Sequence, residues 1–140
     1  MLKIRVTANA KGLDALIKAN DHLCSPARIA EEAQASIPMV ESLYVLGFER
    51  TESPAGKRWA PPKHDYGHPL MRDTRDMQNG AAVTAEPDGV RIVVNIEYAE
   101  YHQNGTPKMV ARKVVPEGPL GDRWERQIAL ARTSVPLGLP

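Results

Sequence analysis

His64 and His68, in the run His64-Asp65-Tyr66-Gly67-His68-Pro69, have the most reactive potential of any pair in this chain. On a helix, a spacing of four puts two imidazoles on one face, where they can hold zinc. Gly67 between them and Pro69 directly after them argue against a helix here, and no Glu follows His64 to complete an H-E-x-x-H motif. Two solvated loop histidines are the plainer reading, and a small metal-dependent enzyme is its rival. Cys24 with His22 would make a nucleophilic dyad. A step of two residues turns a helix by about 200°, so the two side chains diverge. Cys24 falls on the apolar side of its helical pattern, which predicts a buried structural thiol. Asp73 with Asp76, and Glu97 with Glu100, are spaced as paired carboxylates, and exposed acids near arginines are the commoner explanation. Neither usual type of glycine-rich phosphate loop is present. These residues predict no enzyme, no cofactor and no resident metal.

Chemistry of contact, rather than of reaction, gathers at Tyr98-Ala99-Glu100-Tyr101-His102-Gln103-Asn104-Gly105-Thr106 and at Ala111-Arg112. Tyr98 and Tyr101 each offer an apolar ring with a hydroxyl that needs a partner. His102 and Gln103 add adaptable donors and acceptors. Trp59, flanked by proline-rich turns, is either a packing residue that pins a loop or an interface anchor, a role in which tryptophan is enriched. Trp124 falls on an apolar helical stripe and is expected in the core.

The elements that position these residues follow from periodicity. Leu2, Ile4 and Val6 alternate with Lys3, Arg5 and Thr7, the pattern of a half-buried strand. A helical pattern opens at Gly12, with Leu13, Leu16, Ile17, Leu23 and Cys24 near one face. Ser25-Pro26 then reads as an N-cap followed by proline at the first helical position. The next helix carries Ile29, Ala33, Ile37, Val40 and Tyr44 at steps of three and four. Pro38 should kink or restart it, and Gly47 is a plausible end. Residues 51–69 lose all periodicity and form a long loop around Trp59, longer than structureless connections usually are. Glu86-Pro87-Asp88-Gly89 predicts a hairpin turn, with its glycine where positive φ is cheap. Val90, Ile92, Val94 and Ile96 give the clearest strand, and residues 98–104 fit one helical turn at its end. Residues 106–119 look extended. Trp124, Ile128, Ala131 and Val135 share one face of a final helix, and 136–140 form a non-helical tail. The fold class expected is α+β: an N-terminal strand and helices, a small, mainly antiparallel sheet with a β-hairpin, a C-terminal helix and long extended loops.

Composition narrows the function classes. A length of 140 residues suits one domain spanning 1–140 with a modest core, and no repeat or linker divides it. Aromatics are only 5% of the chain, so a mainly aliphatic core is expected. Residues 1–50 carry six basic and six acidic side chains, and residues 81–140 carry seven of each. With no basic patch evident in the sequence, the case for nucleic-acid binding is weak. The lone Cys24 rules out an intramolecular disulfide. No apolar run approaches the roughly 20 residues that span a bilayer, and no signal-peptide core opens the chain, so synthesis in a cytoplasm is expected.

Four segments, in order, resemble the tailed-phage virion morphogenesis (tail-completion) family. Ser53-Pro54-Ala55-Gly56-Lys57-Arg58-Trp59-Ala60-Pro61 is similar to its "D-P-x-G-x-x-W-x-P" loop. Leu70-Met71-Arg72-Asp73-Thr74-Arg75-Asp76-Met77 is similar to "L-x-D-T-G-x-L". The strand from Val90 to Ile96 leads into Tyr98–Gly105, similar to "YA-x-x-HQ-x-G", and Val110-Ala111-Arg112-Lys113-Val114 is similar to "P-A-R-x-F". Gly105-Thr106-Pro107-Lys108-Met109 also resembles a "GT-x-x-M" stretch of neck proteins from long-tailed phages. The departures are Ser53 for Asp, Arg75 for Gly, Val110 for Pro and Val114 for Phe. The Arg75 departure bears on the turn after Asp73-Thr74, because arginine lacks glycine's freedom at positive φ.

The resemblance implies a non-enzymatic virion protein that completes the tail or joins head to tail at the neck. It implies a homo-oligomeric ring, often a hexamer, that meets other neck, connector, tail-terminator or tail-tube proteins. DNA would pass through such a ring without sequence-specific reading, and no membrane is involved. The location implied is the virion, after synthesis in the bacterial host. Trp59, Tyr98, Tyr101, His102, Gln103, Met109 and Arg112 are the expected inter-subunit or neck contacts. A tail terminator that caps the tube is the alternative within this class. A regulatory or toxin–antitoxin binding module and an enzyme using His64 and His68 stand outside it.

Overall fold

The segment with the strongest helical periodicity becomes the spine of the molecule. In the computed structural model, which describes residues 17–22, 24–64, 67, 70–72, 74–87 and 89–136, helix α1 runs over Pro26–Arg50. Its start is as expected. Ser25 is extended, its hydroxyl accepts the Arg28 N–H at 3.2 Å, and Pro26 takes the first turn, where no N–H is needed. Pro38 lies inside α1, and the helix runs through it unbroken. A proline there leaves the Gln34 carbonyl without its helical donor, but both residues are exposed and water can supply one. Packing of the turn that follows holds the helix together, since Val40 and Leu43 lie against Trp124. Gly47 does not end α1. Its carbonyl instead collects the N–H groups of Thr51 and Glu52, and Thr51 closes the helix in a left-handed conformation (φ 54°).

The buried side of α1 runs through Ala33, Ser36, Val40, Leu43, Tyr44 and Phe48. Ala33, Val40 and Tyr44 were on the predicted stripe, whereas Ile29 is 39% exposed. Against this side lies an antiparallel hairpin of β1 (Ala81–Glu86) and β2 (Gly89–Val94). Its register pairs Ala81 with Val94, Val83 with Ile92 and Ala85 with Val90. Those six are partly buried, while Ala82, Thr84, Arg91 and Val93 between them are exposed, as a period of two requires. Gly89 opens β2 without a positive φ, contrary to the expected use of its conformational freedom. The strand stops at Val94, and the Ile96 carbonyl accepts the Ala99 N–H to turn the chain into α3.

Two short helices and a longer one lie after α1 in the chain: α2 (Asp76–Asn79), α3 (Ala99–Asn104) and α4 (Asp122–Thr133). The chain is thus mixed helix and strand with a small antiparallel sheet. One core cluster joins Tyr44, Phe48, Trp59, Met77, Ala99 and Val114, and a second joins Val40, Leu43 and Trp124. Ile92 packs against both. The expected aliphatic core has an aromatic centre. Phe48 meets Tyr44 edge-on at 5.3 Å and Trp59 at 5.5 Å, and Tyr44 donates to the Met77 carbonyl at 2.6 Å. Burial holds the Tyr44 phenol well above its ordinary pKa.

At the far end of α1, the buried Arg28 fixes the C-terminal segment. Its guanidinium donates to the carbonyls of Val135 (3.1 Å) and Pro136 and pairs with Glu32 at 3.1 Å. Glu32 also binds Arg132 of α4 at 2.8 Å. Hydrogen bonding from Arg132 is the main cause that holds the Glu32 carboxyl below the usual range. Residues 17–22 are helical and stop short of Cys24, which is exposed rather than buried. The face argument fails there because Cys24 sits in the turn that leads into Ser25, its N–H on the Asn20 carbonyl. Ile17, from the same expected apolar face, is 49% exposed. The strand expected over residues 2–7, the opening of the helix at Gly12 and the last four residues of the tail lie outside the described residues.

Candidate functional site

Three segments distant in sequence are stitched together by side chains that bind backbone. Trp59 is buried, and its indole N–H donates to the Lys113 carbonyl at 2.9 Å. Gln103 of α3 does more. Its Oε1 accepts the N–H groups of Val114 (2.9 Å) and Val115 (3.3 Å). Its Nε2 donates to the Val115 carbonyl at 3.1 Å and to Glu117 at 3.2 Å. The amide thus serves the 114–115 backbone much as a neighbouring strand would. Arg112 completes the set, with Nε on the Ala60 carbonyl at 2.9 Å and Nη2 on that of Pro61 at 3.2 Å. Its own N–H donates to the His102 carbonyl at 2.6 Å. These bonds explain how residues 51–64 and 106–119 of the expected long loops hold an irregular course: the segment 110–115 is clamped between the Trp59 loop and α3.

Between α3 and residue 111 the chain makes a tight turn. The Gly105 N–H donates to the Tyr101 carbonyl at 2.8 Å, and Thr106 and Met109 pair across a short bridge. Gly105 adopts a φ of 76°, and a Cβ there would lie 2.9 Å from the Ala111 nitrogen and 3.0 Å from the Met109 carbonyl oxygen. Only glycine meets both demands.

The stitched segments wall a groove of about 700 Å³. Its floor and sides include Pro61, Leu70, Met71, Met77, Tyr98 and Met109, with His102 at one side. Lys63, Arg75, Lys108 and Arg112 also line it, against Asp76 as its acidic lining residue among those described. The approach from Leu70 to α2 is strained, with Met71 (φ 60°) and Arg75 (φ 62°) both left-handed. His102 stacks edge-on against Tyr98, with ring centroids 5.9 Å apart. Its Nδ1 is buried without a hydrogen-bond partner among the described residues. Burial, and then the Arg112 charge, hold this imidazole below the ordinary histidine pKa, so it is neutral near pH 7.

This chain matches no family model, no curated protein and no solved structure in the comparisons made with each.

The expected contact residues divide in two. Trp59, Gln103 and Arg112 are engaged inside the chain, and Trp59 takes the packing role of its two readings. Tyr98 (40%), Tyr101 (56%) and the neighbouring Val110 (55%) are the exposed large apolar side chains of this region. His102 and Met109 are partly buried at the groove. His64 is exposed, and His68 lies outside the described residues. Among the described residues, no three His, Cys, Asp or Glu side chains converge as metal ligands. Glu97 and Glu100 are both exposed, as is Asp76. Sequence reading missed Lys63, Arg75 and Lys108 as one group. They are spread over 46 positions, and only the fold brings them to one groove.

Proposed function

We propose that this chain is a non-enzymatic structural protein of a tailed-phage virion, acting in a ring that completes the tail or joins it to the head. The observation that carries this reading is convergence. Residues from each of four stretches line one groove, among them Pro61, Leu70, Met77, Tyr98, His102 and Arg112, and these are the stretches that resemble the tail-completion family. Nothing about their spacing in sequence requires them to meet.

Two of the departures from the family pattern fall where the local backbone would also suit the family's residue. Position 75, where the family has glycine, is left-handed here although it holds arginine. Ser53, in place of Asp, accepts the Lys57 N–H through its hydroxyl at 3.2 Å, a bond that a carboxylate could also accept. Exposed Tyr98 and Tyr101 are rigid amphipathic rings suited to binding other virion proteins. With charges balanced along the chain, DNA would pass through such a ring without being read.

The test is to silence the gene in the phage or prophage that carries it, induce, and image the lysate by negative-stain electron microscopy. Filled heads beside unjoined tails of normal length are expected. Tails of uncontrolled length would transfer the role to a tail terminator, and intact infectious particles would overturn the structural reading.

A further inference from the structure

We infer that the groove receives the acidic face of α1 from a second copy of this chain. This deepens the proposed role and depends on it only for its setting in a virion. The argument begins with charge. Lys63, Arg75 and Lys108 line the groove, all three are exposed, and none has an ion-pair partner among the described residues. With Asp76 as the acidic lining residue among those described, the groove keeps a cationic excess, and an apolar groove so charged fits an apolar strip flanked by carboxylates.

The same chain displays such a strip. Glu41, Val45 and Glu49 follow at steps of four along α1, with Ser42 and Leu46 beside them, and together they border one shallow depression. Residues four apart share a helix face, so the two carboxylates flank Val45 and lie about 12 Å apart. Glu41 and Glu49 are exposed, and neither has an ion-pair partner among the described residues. Val45 and Leu46 are left partly open between them.

A second observation points to the same face. Glu41 and Val45 also border a neighbouring depression with Gln78, Asn79 and Val83. Gln78 is only 7% exposed, yet its Oε1 has no hydrogen-bond donor among the described residues. A buried acceptor without a donor is costly, and a rotation of this side chain on contact would let a donor from an incoming chain relieve it. Helix α2 is the wall between the two surfaces: Asp76 and Met77 line the groove, and Gln78 and Asn79 line the depression. The surfaces are therefore different, lie on one chain and complement each other. Contact between them is heterologous, so each copy offers a free groove and a free strip to the next.

The experiment uses purified full-length chain in sedimentation velocity over a concentration series at low ionic strength, where rim charges are least screened. Wild type should show a weight-average mass that climbs above the 15.4 kDa monomer with concentration. Lys63→Glu with Lys108→Glu should weaken this association about tenfold or more, as should Glu41→Lys with Glu49→Lys, because repulsion replaces attraction. All four positions are exposed, so circular dichroism should show both variants folded as wild type. An equimolar mixture of the two variants should associate again, since each reversed surface then meets an opposite charge. A wild type that stays at monomer mass, variants that associate as wild type does, or a mixture that fails to associate would each overturn the proposal. None of these results depends on virion phenotype, and the micrographs above do not depend on self-association in solution.

Discussion

Replacing Gln103 with leucine tests whether the side-chain stitches, rather than burial alone, shape the groove. The substitution keeps the size of the side chain and removes four hydrogen bonds. The bond to Glu117 is exposed and contributes little. The other three leave the N–H groups of Val114 and Val115 and the Val115 carbonyl without their side-chain partner, in a segment where Val114 is 5% exposed. At about 1 kcal/mol for each partly buried group, the loss is about 3 kcal/mol, reduced to about 2 by the apolar surface that leucine buries. With a urea dependence of about 2 kcal/mol per molar, the unfolding midpoint should fall by about 1 M. Fluorescence reports the transition directly, because Trp59 and Trp124 are both 7% exposed. Gln103→Glu separates the two halves of the clamp. A carboxylate still accepts both N–H groups but cannot donate to Val115, and it faces the carboxylate of Glu117. That variant should be destabilised at pH 7 and should recover toward wild type as acid protonates the new carboxyl. A Gln103→Leu protein within about 0.5 kcal/mol of wild type would refute the argument, because that is the scatter of neutral surface changes.

Two further outcomes follow from the groove and its strained approach. Burial and the Arg112 charge depress the His102 pKa, so the unfolded chain takes up this proton first as pH falls. The stabilisation is present above about pH 6.5, the ordinary histidine value, and is lost as pH drops through the folded value; His102→Gln should flatten this part of a stability–pH curve, and an unchanged slope would refute it. Arg75→Gly should raise stability by up to about 1 kcal/mol in urea unfolding, because arginine at a φ of 62° carries a left-handed penalty that glycine avoids. Arg75→Ala should not show the gain, and equal stability of the two variants would place the effect in the side chain.

Elements with a regular period were legible in the sequence, and those made by long-range bonds were not. Ser25-Pro26 announced the start of α1, the alternation from Val90 announced β2, and the Trp124 stripe announced α4. Pro38 misled because propensity is a local rule, and packing on Trp124 overrides it. Cys24 misled because the periodic pattern continued past the point where the helix stops. The short α2 has too few residues to show a period. For the candidate site, the sequence named Tyr98, His102, Met109 and Arg112 but could not group them with Lys63, Arg75 and Lys108, because nothing local relates these positions.

The division of the motif between interior and surface bears on how such resemblances are read. Trp59, Gln103 and Arg112 use their polar atoms on backbone carbonyls and amides of other segments, so each fixes the path of an irregular loop that no ladder of strand bonds supports. Tyr98, Met109 and the exposed lysines are then carried on those paths to the groove. A loop surface without regular structure can present a defined shape only if its backbone is pinned at several points, since each free residue would otherwise lose roughly 1–2 kcal/mol of conformational entropy on binding. On the proposed role, the internal bonds of the motif would therefore be part of how the groove binds its partner. Loss of a stitch should loosen the groove even where every residue that lines it is unchanged, whereas loss of a lining charge should weaken contact and leave the fold intact.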